Sequence, residues 1–174
     1  MPDTLMPDHP TPALSVPLII GGHWDLARQS PEAFTMIVVY RGLHCPICKS
    51  YLQTLSQHYA AFIGKGFSIF TVSMDGEERA KEAHETWELG DIPMGYGLTR
   101  GQAEAWGLYL SQSFKDNEPE VFAEPGLFWV RPDGRLYLTD VSNMPFARPD
   151  LGVLLEKADF ILDKGYPARG TLAA

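Results

Sequence analysis

The chain has 174 residues, 45% of them hydrophobic and 21% charged, which is room for one domain with a real core and excludes a disordered or fibrous polymer. Its 14 Lys and Arg stand against 22 Asp and Glu, a net charge of −8, so the surface as a whole repels polyanions and no nucleic-acid partner is expected. No apolar run in the sequence reaches the ~20 residues that cross a bilayer, and no membrane partner is expected.

The opening is rich in proline (Pro2, Pro7, Pro10, Pro12, Pro17), which removes backbone donors and fixes φ, so residues 1–15 are predicted to be a flexible arm ahead of a single domain over 16–174. The first 17 residues lack the basic-then-apolar layout of a secretory signal, and a cytoplasmic location is expected. A β-element over about 18–26 is predicted to precede the main sheet. Residues 34–40, Phe-Thr-Met-Ile-Val-Val-Tyr, form too unbroken an apolar run for a strand with a wet face. They predict a central, parallel strand.

After the turn Arg41-Gly42-Leu43-His44, Pro46 suits the first helical position and Cys45 falls at the N-cap. Cys48, Leu52, Leu55, Tyr59, Phe62 and Ile63 then keep a 3.6-residue period until the glycines at 64–66 end the helix. Residues 67–74 read as a second parallel strand. Asp75 with Glu78 has the spacing of a capping box opening a surface helix over 76–89, and Thr99 with Gln102 repeats the pattern before Ala103, Trp106 and Leu110, a short helix. Residues 127–131 and 135–141 flank Pro132-Asp133-Gly134, turn chemistry for an antiparallel hairpin. A last helix over 149–164 carries Leu151, Leu154, Leu155, Ala158, Ile161 and Leu162 on one face and stops at Gly165 and Pro167. The predicted class is α/β: a central mixed sheet with helices on both faces.

The chemistry concentrates in Tyr40-Arg41-Gly42-Leu43-His44-Cys45-Pro46-Ile47-Cys48. Two cysteines three positions apart on a first helical turn face the same way and lie close enough to form a small disulfide ring after side-chain rotation. The first sits where backbone N–H groups are free and the helix dipole is positive, so its thiolate is favoured, and Arg41 and His44 would lower its pKa further if they point inward. Cys48, one turn deeper, stays a shielded thiol until it resolves an adduct on Cys45. Three other readings use the same residues. The pair could be small buried hydrophobes, a redox sensor without turnover, or half of a zinc site completed by His23, His58 or His84.

A strand ending in Arg-Gly-x-x-Cys-Pro-x-Cys, the following Leu-x-x-Leu helix, and the Asp-Gly hairpin before a C-terminal helix resemble the thioredoxin-like superfamily. Within it they resemble the peroxiredoxin-like branch of alkyl hydroperoxide reductases and thiol-specific antioxidant proteins. The similarity spans about 16–166. It implies a thioredoxin-like fold and an oxidoreductase acting on disulfides or hydroperoxides, with Cys45 and Cys48 as its redox pair. It implies re-reduction by a thiol donor of the thioredoxin or glutathione system, no metal and no organic cofactor, and pairing into a homodimer. It also places Pro125 where thioredoxins keep a cis-proline facing the reactive sulfur. Peroxiredoxins carry a Thr three residues before the reactive Cys and an Arg near the later strand. Gly42 and Pro125 occupy about those places here, leaving Arg41 or Arg100 to supply the charge.

Overall fold

The computed structural model describes residues 5–173. Its elements run β1 (Ser15–Pro17), β2 (His23–Asp25), β3 (Thr35–Val39), α1 (Pro46–Gly64), β4 (Ser68–Val72), α2 (Glu77–Thr86), α3 (Arg100–Ala105), β5 (Leu110–Gln112), β6 (Val121–Ala123), β7 (Gly126–Val130), β8 (Leu136–Val141) and α4 (Leu151–Lys164). The central sheet has the order β4-β3-β7-β8, with β3 parallel to β4 and antiparallel to β7. Two-stranded sheets β1-β2 and β5-β6 lie beside it.

All five residues of β3 are buried, and the strand's period of two divides them between two cores. Met36, Val38 and then Tyr40 pack with Cys48, Leu52, Leu55 and Phe62 of α1, Ala80 and Ala83 of α2, and Leu151 and Ala158 of α4. Ile37 and Val39 pack with Val16 and Trp24 of the N-terminal hairpin, Ala103 of α3, and Phe128 and Val130 of β7. Helices therefore cover both faces, with an all-β hairpin completing the second. Trp24 stacks on Phe70, ring centroids 3.9 Å apart, which fixes β1-β2 on the sheet.

Tyr40 is the last residue on the helical face. Its hydroxyl donates to the Met94 thioether at 3.3 Å and its ring meets Trp87 edge-on at 5.8 Å, so the chain leaves the sheet in a fixed direction.

Several expectations shift. The N-terminal β-element begins at Ser15 rather than 18, and Val16 pairs with Trp24. The described part of the proline-rich arm is not loose: Asp8 N–H donates to the Leu136 carbonyl at 2.7 Å, Leu136 N–H to His9 at 3.0 Å, and Thr11 N–H to Gly134 at 3.0 Å. Prolines remove some donors from that segment but leave these free to pair with β8 and its turn. Residues 1–4 of the arm lie outside the described residues. The short strands β5 and β6, three residues each, have too few positions to show alternation in sequence.

The capping box at Thr99 and Gln102 forms in both directions. The one assigned to Asp75 and Glu78 does not: α2 starts from Gly76 with no side-chain cap, because the Asp75 carboxylate is engaged elsewhere. The helix also stops at Thr86, short of 89, where Glu88 takes a left-handed backbone with φ 55°.

Candidate active site

The turn that follows β3 is closed by a hydrogen bond from Cys45 N–H to the Gly42 carbonyl at 3.1 Å. It is pinned from beneath by Asp75, at the end of the neighbouring strand, whose Oδ2 accepts from Leu43 N–H at 2.8 Å. Asp75 has a fully buried side chain and pairs through Oδ1 with Arg79 Nε at 3.1 Å, so the carboxylate is compensated where it sits. Gly42 has φ +142°, and a Cβ there would stand 2.8 Å from Asp75 Oδ2. The space that a threonine side chain would need is therefore taken by a carboxylate, and the turn requires glycine.

Cys45 is the side-chain N-cap of α1: its sulfur accepts from Cys48 N–H at 3.1 Å, and Pro46 occupies the first turn as its missing donor allows. Both cysteines are free thiols, Cys45 1% and Cys48 0% exposed. Hydrogen bonds to the Cys45 sulfur from the Cys48 thiol, the Cys48 backbone and Arg41, helped by the charge of Arg148, outweigh burial and bring its pKa down to about 6. Burial pushes the Cys48 thiol the other way, upward, and its hydrogen bond to Cys45 adds to that. The two environments thus pull the sulfurs apart: one favours the thiolate at Cys45, the other the thiol at Cys48.

Arg41 points to Cys45, and it is held there by buried carboxylate. Its Nε lies 3.0 Å from Glu124 and its Nη2 4.0 Å from Glu118, while the guanidinium covers the Phe122 ring at 4.8 Å. Glu124 in turn accepts from the Ser111 hydroxyl at 2.7 Å. His44 departs from its expected role. Its ring packs edge-on against Phe122 at 4.8 Å, and burial together with the nearby Arg41 lowers its pKa, so it is neutral and lends no charge to Cys45.

Pro125 leads into β7 and is buried. The described residues contain no cis peptide bond, so the expected cis-proline is trans here. Pro125 lines a small cavity together with Tyr51, Arg148 and Pro149, and its carbonyl accepts from Ser142 N–H at 3.0 Å. Arg100 is absent from the site: it stands exposed on α3 and pairs with Glu104 at 2.9 Å. His84, one of the zinc candidates, lies with Nε2 2.9 Å from the Ile92 carbonyl. Among the described residues no three His, Cys, Asp or Glu side chains gather as a metal-holding group.

The residue that sequence reasoning misses is Arg148. From the loop before α4, its Nη2 donates to Cys48 Sγ at 2.6 Å, and its guanidinium lies 4.7 Å over the Tyr51 ring. Tyr51, on α1, donates its hydroxyl to the Pro149 carbonyl at 2.8 Å and so ties that loop to the cysteine helix. Glu124 and the turn-holding role of Asp75 are missed as well. Arg148 lies a hundred positions after Cys48, and the only local signal is that Asp150 caps α4, which says where a helix starts and nothing of where an arginine reaches.

The fold is shared by solved peroxiredoxins at low identity. Peroxiredoxin 6 of Arenicola marina is 14% identical, covers 91% of this chain and 74% of its own, and aligns with a TM-score of 0.74. The Enterococcus faecalis protein AhpC is 16% identical over 93% and 96% with a TM-score of 0.72. Reduced Prx3 from Vibrio vulnificus, solved in complex with hydrogen peroxide, is 13% identical over 87% and 97% with a TM-score of 0.73. These likenesses show the thioredoxin-like fold of the peroxiredoxins. No curated protein matches the chain. The model of the AhpC/TSA family matches residues 7–139, a stretch holding the turn, both cysteines, Arg41 and Glu124. The chain belongs to the AhpC/TSA family, the thiol-dependent oxidoreductases of the peroxiredoxin branch.

Proposed function

We propose that Cys45 is the nucleophile and Cys48 the resolving cysteine of a thiol-dependent hydroperoxide reductase. The observation that carries this reading is the Cys45 sulfur at the N-cap of α1, accepting from Cys48 N–H at 3.1 Å with Arg41 beside it. A thiolate so placed attacks the terminal peroxide oxygen. The O–O bond breaks, the alcohol or water leaves with a proton, and Cys45 becomes a sulfenic acid. Cys48 then displaces that oxygen as water and closes a Cys45–Cys48 disulfide. Two equivalents of an external thiol restore the pair and leave as their own disulfide.

Hydrogen peroxide bound to the Vibrio vulnificus protein of the same fold supports a peroxide as the substrate. Arg41, held by Glu118 and Glu124, is the cation placed to polarise the departing oxygen. Arg41 thus takes the tuning role, while His44 packs against the Phe122 ring that Arg41 covers and Pro125 lines the small cavity that Arg148 also lines. The reductant is a thiol donor of the thioredoxin or glutathione type. The same reading places the protein in the cytosol, where such donors keep a dithiol reduced, and family membership supports a homodimer.

A second reading, reduction of disulfides, draws on Gly42. The space beside it holds the Asp75 carboxylate at 2.8 Å, so no threonine hydroxyl can hold a peroxide oxygen at that position. Stopped-flow mixing of reduced protein with hydrogen peroxide, followed by mass analysis, separates the two. Rapid formation of the intramolecular disulfide supports the peroxidase. Inertness to peroxide with active reduction of insulin or glutathione disulfide supports the disulfide reductase. Cys45→Ser abolishes either activity, and Cys48→Ser leaves a sulfenic acid or mixed disulfide on Cys45. Equal, small losses from both variants would overturn the assignment of roles.

A further inference from the structure

Arg148 adds its charge to the field at Cys45 without touching that sulfur, yet it is the cation in direct contact with Cys48. We infer that Arg148 is a positioning residue for the second half-reaction: it draws the negative charge onto Cys48 once Cys45 has given it up, and so sets the rate of disulfide closure. The inference rests on the proposed roles of the two cysteines.

Its basis is geometric. Cys48 is fully buried, and a sulfur in that position ionises only if a cation reaches it. The groups facing it are Cys45 on its own helix, Tyr40 at the end of β3, Arg41 in the turn and Arg148 in the loop before α4. Arg41 is committed to Glu124, Glu118 and the Cys45 sulfur. Arg148 has no such commitment beyond the Tyr51 ring beneath it. Among the described residues it makes no ion pair with a carboxylate, and its Nε and Nη1 are buried without a hydrogen-bond partner.

The guanidinium is held on target. Tyr51 supports its face and ties down Pro149, and the Ser142 hydroxyl donates to the Ala147 carbonyl within the same loop. An uncompensated, immobilised guanidinium 2.6 Å from a thiol sulfur stabilises the thiolate far more than the thiol.

The timing follows from the charges. While Cys45 is an anion, a second anion on Cys48 is opposed by the first. Conversion of Cys45 to a sulfenic acid or mixed disulfide removes that opposing charge, and Arg148 then favours the Cys48 thiolate. In closure, an electron pair of Cys48 forms the S–S bond as the Cys45 S–O bond breaks. The oxygen leaves as hydroxide and takes up the proton that Cys48 released, giving water. With a mixed disulfide, the leaving group is the substrate thiolate.

Rapid-quench peroxide reactions with sulfenic-acid trapping test this on the intact protein. Arg148→Ala is expected to slow closure about tenfold or more, with the trapped intermediate accumulating, while initial oxidation of Cys45 changes much less. Arg148→Lys recovers most of the closure rate. Closure at the wild-type rate in Arg148→Ala, or a first step slowed as much as the second, would overturn the inference.

A peroxide-free readout keeps it separate from the catalytic proposal. In Cys45→Ser, thiolate absorbance reports Cys48 alone, and adding Arg148→Ala is expected to raise its midpoint by about one pH unit. An unchanged midpoint sinks the inference even if the enzyme turns over. A raised midpoint in a protein that never forms the disulfide sinks the catalytic reading instead.

Discussion

Helices α1 and α2 begin at the carboxyl ends of adjacent parallel strands, β3 and β4, and they begin differently. The first is capped by the sulfur of Cys45, a weaker acceptor than the Ser, Thr, Asp or Asn that helix starts favour. The second has a good acceptor next to its start, Asp75, and does not use it: Gly76 is its N-cap, without a side-chain hydrogen bond. The carboxylate turns across to the neighbouring strand's turn and holds Leu43 N–H. One helix forgoes a cap so that the turn carrying the thiolate of the other is fixed, and a helix start is sacrificed where no chemistry occurs.

The contrast can be broken at three points. Asp75→Ala should have the largest effect: it leaves Leu43 N–H without its acceptor and Arg79 without its partner, at a cost of about 2–3 kcal/mol in chemical denaturation. It should also slow alkylation of Cys45, whereas loss of an ordinary surface carboxylate would do neither.

Next comes the acidity of the capping sulfur. With Cys45 near 6, the thiolate is the reactive form, so its alkylation rate should rise about tenfold per pH unit below that value and level off above it. An ordinary thiol would keep accelerating towards about 8.5. Such behaviour in the wild type would mean that the cap does not hold an anion.

The smallest effect concerns the cap that does not exist. Glu78→Ala should change stability by less than about 0.5 kcal/mol, while Thr99→Ala, which removes a capping box that does form, should cost about 1 kcal/mol. Thermal melts of the two variants side by side would reverse this order if Glu78 capped α2.

The same pair of helices shows what is legible in the sequence. The apolar run at 34–40, Pro46 after Cys45 and the heptad-like spacing to Phe62 are local signals, and they locate the strand, the helix start and both sulfurs because backbone sterics act over a few residues. Asp75 and Glu78 match a local pattern equally well and mislead. A competing donor 32 positions earlier, the N–H of Leu43, outbids the helix for the carboxylate.

Arg41 was visible by its place in the motif, but its partners Glu118 and Glu124 were not. Nor was Arg148, which the loop before α4 delivers to Cys48 from a hundred residues away. His44 failed as a charge donor for a related reason. The ring of Phe122, brought in by β6, buries it beside Arg41, and burial by a distant element leaves no trace in the neighbouring letters.

The contact between Tyr40 and Met94 has a bearing on how this molecule ages. A protein that handles oxidants is its own first target, and the chain carries six methionines. Met144 is 46% exposed and would collect sulfoxide early at little structural cost. Met94, 1% exposed and hydrogen-bonded at the root of the reactive turn, is shielded by the core around it. A polar oxygen added there would wedge apart Tyr40 and its neighbours. Sulfoxide at Met94 would therefore mark molecules that had already opened, a chemical record of unfolding rather than of work done.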